Sequence, residues 1–169
     1  MGEPSHPAAS GIEAVVSVPD EAALAPLARR LMAVLPRPAF VALHGDLGAG
    51  KTTFVKAMAT AAGIDPATVI SPTFGLVHEH PGPHGGLLHA DMYRLPGSDA
   101  LHEIGWTDAV ARTTWAFVEW PERIADALPS DRLDVLIGID SPTGRTLRFI
   151  GHGLSHAAAV QHLRSHERR

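Results

Sequence analysis

Residues 45–52 read Gly-Asp-Leu-Gly-Ala-Gly-Lys-Thr, the spacing G-x-x-x-x-G-K-[ST]. Each residue type in it has a physical task. Glycines let the backbone curl so that successive N–H groups point at one anion. A helix opening near Gly50 adds its positive N-terminal end. Lys51 has the reach for β- and γ-phosphates, and the Thr52 hydroxyl suits Mg2+. Asp46, Leu47, Gly48, Ala49 and Gly50, with Thr53 just beyond, complete the expected phosphate cradle. The chain has only two lysines, so a chance match to this pattern is rare. It has no asparagine, which makes the guanine-reading N-K-x-D motif impossible. The expected ligand is therefore ATP with Mg2+.

A phosphate loop needs an acid on a neighbouring strand to position the metal. Two candidates stand at the ends of apolar runs. Glu119 follows Trp115-Ala116-Phe117-Val118, and Asp91 follows Leu87-Leu88-His89-Ala90. One would hold Mg2+ and the other would orient an attacking water, and the residues alone leave the assignment open. Thr73, in Ser71-Pro72-Thr73-Phe74, is placed to sense a γ-phosphate as switch loops do. His78, His80, His84 and His89 cluster around a glycine-rich loop. Without cysteine and without a standard ligand spacing, they read as loop imidazoles rather than a zinc site.

The elements that must carry these residues follow from the apolar pattern. Strands are expected at 14–18, 39–43, 74–80, 87–95, 114–120, 132–139 and 145–153. Asp20 is a candidate cap for a helix over 21–35, which Pro26 must either kink or delay. A second helix is expected from Gly50 to Ala62, short helical pieces over 97–113, and a short helix after Pro121. The result is an α/β protein of the P-loop NTPase-like three-layer kind. Its mixed sheet has central parallel strands and antiparallel hairpin additions. One domain spans 14–153, between a flexible extension at 1–13 and a polar, solvated tail at 154–169.

Composition sets the outer bounds. The 169 residues suit one domain with a substantial core. The absence of cysteine excludes disulfides and thiol chemistry. No apolar run approaches the roughly 20 residues of a membrane helix, and the start of the chain lacks a signal-peptide pattern. A cytoplasmic protein is expected. The net charge of -4 argues against a chain that grips nucleic acid alone.

Taken in order, five blocks carry a resemblance. They are GDLGAGKTTF (45–54), SPTFGLVHEH (71–80), HADMYRL (89–95), EWPERI (119–124) with LPSDRL (128–133), and GRTLRFIGHG (144–153). In these the chain resembles the TsaE (YjeE) ATPases, P-loop proteins of bacterial tRNA threonylcarbamoyladenosine biosynthesis. The resemblance implies roles at matching positions. Lys51 and the loop amides would bind ATP, with Thr52 and Glu119 on Mg2+. Asp91 would be the acid needed for hydrolysis, Thr73 the phosphate-facing switch threonine, and Arg145 a residue approaching the nucleotide. It also implies TsaD-like and TsaB-like partners, with tRNA reached only through them. At 20–23 the chain reads DEAA, where the family often has a threonine. The rival reading is a small-molecule or nucleoside kinase. Such kinases bring several lid arginines to the phosphate, whereas the segment after the phosphate loop holds only Arg94 up to residue 95.

Overall fold

The computed structural model describes residues 11–72 and 76–168. Seven strands form one sheet: β1 (Ile12–Val18), β2 (Ala39–His44), β3 (Val77–His80), β4 (Leu87–Asp91), β5 (Trp115–Glu119), β6 (Arg132–Ile139) and β7 (Arg145–His152). Their spatial order is β1-β7-β6-β2-β5-β4-β3. The four central strands β6, β2, β5 and β4 run parallel. Antiparallel strands extend the sheet on both sides, β7 and β1 at one edge and β3 at the other. The expected mixed sheet with parallel centre and hairpin additions is what forms.

Among the described residues, four α-helices pack on it: α1 (Leu24–Val34), α2 (Lys51–Ala61), α3 (Trp106–Ala111) and α4 (Gly153–Glu167). Strand alternation divides the core into two layers. Val41, Leu43, Leu87, Phe117 and Leu133 point to the side covered by α1, α2 and α4, where Leu31, Phe54, Met58 and Val160 meet them. Phe40, Ala42, Leu88, Ala90, Ala116 and Val118 point the other way. There Trp106 of α3, Leu101 and Ile124 cover them. β2 and β5 are buried along nearly their whole length, which is why they read as unbroken apolar runs.

Pro26 resolves as a delayed helix start. Asp20 caps a 3₁₀ turn over Glu21–Ala23, its carboxylate accepting from Ala23 N at 3.0 Å, and α1 begins only at Leu24. Pro26 then lies in the first turn, where a missing N–H costs nothing.

Three expectations are corrected. The strand expected over 87–95 stops at Asp91. Its last sheet bond, Met92 N to Glu119 O at 3.0 Å, comes where β5 also ends, and the chain then turns. The strand expected over 74–80 spans Val77–His80, with 73–75 outside the described residues. The C-terminal segment, expected as a solvated tail, forms α4. That helix buries His156, Ala159, Val160 and Leu163 on one stripe. Asp131 secures its first turn, accepting from Ser155 N at 3.3 Å and His156 N at 3.2 Å. The His156 ring bridges onward, with Nδ1 2.5 Å from Asp131 Oδ1 and Nε2 accepting from Phe40 N at 3.1 Å. That bond satisfies a buried backbone donor at the start of β2. Of the extension expected at 1–13, residues 1–10 lie outside the described residues, while Ile12 and Glu13 already belong to β1.

Candidate functional site

The phosphate loop is the connection from β2 to α2, at the C-terminal end of the parallel strands, where open α/β sheets bind ligands. Two glycines fix its course. A Cβ at Gly45 would stand 3.0 Å from both Ala49 Cβ and Ile137 O. Gly50 takes φ 107°, a left-handed conformation, immediately before the first turn of α2. Lys51 follows as the first helical residue and is buried. Its Nζ donates to the carbonyls of Gly45 at 2.6 Å and Asp46 at 3.0 Å, and lies 4.3 Å from the Trp120 ring centroid. Burial pulls the Lys51 ammonium below its ordinary pKa, against the attraction of Glu119, Glu122, Asp91 and Asp46.

Sheet register delivers the two acids to the same place. Asp91 on β4 pairs with Glu119 on β5, both strands ending there. Alternation turns both side chains to the layer that α2 covers. The Thr52 hydroxyl donates to Glu119, at 2.9 Å from Oε2 and 3.2 Å from Oε1. Glu119 is buried. Asp91 is more open, with Oδ1 fixed by Tyr93 N at 2.9 Å and Oδ2 3.4 Å from Ser71 Oγ. Lys51, Thr52, Thr53, Asp91, Glu119 and Trp120 share the lining of one cleft of about 280 Å³.

Gly48, Gly50 and Thr53 form a rim between this cleft and a second one of about 460 Å³. The second is lined by Val18, Leu24, Phe54, Ile137, Pro142 and Leu147, with Asp20, Glu21, Thr143 and Arg145 as polar groups. Arg145 also braces the loop, its Nε donating to Ala49 O at 2.8 Å. The apolar walls of the larger cleft were not legible in the sequence, because β1, β6, β7 and two helices each supply a part. Thr73 lies outside the described residues. The other expected site residues, 46–53, Asp91, Glu119 and Arg145, gather around the two clefts.

A polar cluster on the opposite sheet face backs the loop. His44, the last residue of β2, places Nδ1 3.0 Å from Glu122 Oε1 and Nε2 3.2 Å from Asp134 Oδ1. Arg132 and His152 reach the same Asp134, His152 Nε2 at 2.7 Å from Oδ2. Burial works against the His44 cation, but hydrogen bonds and charge from Asp134 and Glu122 outweigh it and raise His44 to about 9. Asp134 is likewise opposed by burial yet held at about 2 by His44 and Arg132. These are two ends of one interaction, counted once.

The signs set a pH window. The raised His44 contributes stability in full below its unfolded value near 6.5 and loses it as pH climbs through 9. The depressed Asp134 contributes above 3.8 and loses it as pH falls through 2. The exposed part of His44 is screened, so the loss between pH 6.5 and 9.5 is on the order of 2 kcal/mol, roughly 4–8 °C in Tm. Thermal melts of wild-type and His44→Gln protein check this: the wild-type excess in Tm should shrink across that range. Parallel curves would contradict it.

Among the described residues, no group of three or more His, Cys, Asp or Glu is arranged to hold a metal by itself. No described helix is long and apolar enough to cross a membrane.

Comparison with known proteins gives a consistent result. A family model described as "Threonylcarbamoyl adenosine biosynthesis protein TsaE" matches residues 18–147. A protein named tRNA threonylcarbamoyladenosine biosynthesis protein TsaE from Bacillus subtilis is 33% identical over 139 residues, covering 82% of this chain and 86% of its own. Its namesake in Aquifex aeolicus is 43% identical over 98 residues, 57% of this chain and 68% of that protein. The crystal structure of Bacillus subtilis YdiB superposes with a TM-score of 0.73 at 27% identity, over 93% of this chain and 97% of that one.

Proposed function

Because this chain belongs to the TsaE family of threonylcarbamoyl adenosine biosynthesis proteins, we propose that it is the Mg2+-dependent ATPase subunit serving that tRNA modification. It binds ATP, hydrolyses it, and acts with TsaD-like and TsaB-like partners in the cytoplasm. The partners carry the tRNA and perform the transfer. A net charge of -4 fits a subunit that does not hold RNA by itself.

The observation that carries this reading is the junction of loop and acids. Lys51, the Thr52–Glu119 hydrogen bond and Asp91 meet in one cleft at the end of the parallel strands. The donor set suits Mg2+. A hydroxyl and a carboxylate are hard oxygen ligands, and Mg2+ is commonly held by one or two such groups plus substrate phosphates. Bound there, the cation would neutralise charge on the β- and γ-phosphates.

The chain's own residues supply the rest. Loop amides and the N-terminus of α2 hold the phosphates. Lys51 exchanges its two carbonyl acceptors for phosphate oxygens, a charge-assisted and stronger bond. Asp91, already oriented by Tyr93 N, accepts a hydrogen bond from the water that attacks the γ-phosphorus. The water oxygen bonds to that phosphorus as its bond to the bridging oxygen breaks, giving ADP and inorganic phosphate; one water proton stays on the phosphate and the other leaves to solvent. The larger cleft, with apolar walls and the Asp20 and Glu21 carboxylates at one side, takes the nucleoside. Thr73 is the switch residue that senses the γ-phosphate.

Two measurements test the proposal. Affinity capture of the tagged chain from cell extract should recover both transferase subunits, more with ATP than without. Phosphate release should be slow for the chain alone and rise at least tenfold with the purified pair. Capture of neither subunit, with release unchanged by them, would contradict the partnership.

A further inference from the structure

His89 belongs to the hairpin group of histidines that the phosphate-loop reading leaves without a task, and its side chain reaches Glu119. It lies two residues before Asp91 on the same face of β4, beside Phe117, which lies two residues before Glu119 on β5. Its side chain is wholly buried. Its Nε2 stands 2.5 Å from Glu119 Oε2, and its Nδ1 has no hydrogen-bond partner. With the proton on Nε2, that contact is a donation into the carboxylate that also accepts from Thr52. A phenyl ring would fill the same space without leaving a bare nitrogen in the core. What the imidazole adds is one donor, aimed at Glu119.

We propose that His89 is a positioning residue for Glu119, holding its carboxylate in the rotamer that keeps it on Thr52 and at the mouth of the smaller cleft. Outer-shell donors of this kind fix the orientation of a metal-ligating group, and losing one costs about 10–100-fold in metal affinity. The proposal rests on the reading of Glu119 as a Mg2+ ligand. His89 touches neither nucleotide nor cation and acts only through Glu119.

The test measures ATP affinity by calorimetry across Mg2+ concentrations and in EDTA, with thermal melts to verify folding. In His89→Phe, affinity in EDTA stays within about twofold of wild type, while the Mg2+ concentration for half-maximal enhancement rises about tenfold. His89→Gln, whose amide nitrogen can replace Nε2 as donor, returns it to within about threefold. In a Glu119→Gln background, His89→Phe adds nothing further. A folded His89→Phe protein with wild-type Mg2+ dependence, beside a sensitive Glu119→Gln, overturns the proposal alone. A Glu119→Gln protein with wild-type dependence overturns the metal-ligand reading and the proposal with it. Proton NMR without nucleotide or metal gives a second readout that needs no His89 variant. A strongly downfield His89 Nε2 proton, lost in Glu119→Gln, supports the clamp, and its absence from wild type overturns it.

Discussion

Lys51→Ala lowers ATP affinity by at least about 100-fold while leaving the fold intact. The magnitude follows from what the side chain trades. Its Nζ donates to Gly45 O and Asp46 O beneath the Trp120 ring, so the ammonium is already ordered at the loop. Moving it onto two phosphates costs little further entropy and exchanges each neutral carbonyl for a charged oxygen, a net gain on the order of 1.5–3 kcal/mol each, since close opposite-charge pairs at interfaces couple by about 1.5–7 kcal/mol. Two such bonds amount to roughly 3–6 kcal/mol, or a factor of about 100 to 10⁴. Calorimetric titration with ATP and Mg2+ measures this, paired with a thermal melt. The chain's other lysine, Lys56, is exposed on α2 and offers no substitute. An affinity within threefold of wild type would remove Lys51 from the phosphate site.

Asp91→Asn separates binding from chemistry. The amide keeps an oxygen for Tyr93 N, so the turn after β4 survives the change. It loses the anionic acceptor that the proposed function assigns to orienting and polarising water. ATP affinity should stay within about threefold, while single-turnover phosphate release with the partner pair falls about 100- to 1000-fold. Glu119 cannot take over. Its carboxylate is buried and engaged by Thr52 and His89, whereas Asp91 faces the cleft with one oxygen 3.4 Å from Ser71 Oγ. Normal turnover in Asp91→Asn would move the water-orienting role elsewhere.

The parts of this site that are local in sequence were readable from it. The phosphate loop compresses its glycines, lysine and threonine into eight consecutive residues, and the physics of that turn acts within those eight. Asp91 and Glu119 stood out as acids closing apolar runs. Their pairing was not visible, because it depends on β4 and β5 lying side by side in matching register. His89 could not be told from a core residue for the same reason: its partner is thirty positions away and reached only through the sheet. His44 and Asp134 illustrate a related limit, since each alone is an ordinary strand residue and the charge cluster exists only once β2 and β6 pair.

The sequence conceals α4 because its stripe holds few large apolar residues. Val160 and Leu163 are the larger of its buried apolar side chains, with Ala159 beside them, and the helix is further secured by polar contacts from Asp131 and Phe40, remote in the chain. Composition signals a solvated tail there, whereas tertiary contacts make it a wall of the core. The nucleoside-sized cleft was unreadable on similar grounds, for Val18, Leu24, Phe54, Ile137 and Leu147 come from five separate elements.

The phosphate loop is proposed to grip the triphosphate of a Mg2+-bound adenine nucleotide. Titration calorimetry of the folded chain with ATP and Mg2+, run with and without the TsaB-like and TsaD-like pair, tests it most directly. The predicted result is a saturable one-site isotherm that weakens when Mg2+ is chelated. No heat with ATP or any other purine triphosphate, in the presence and absence of the pair, would contradict the account.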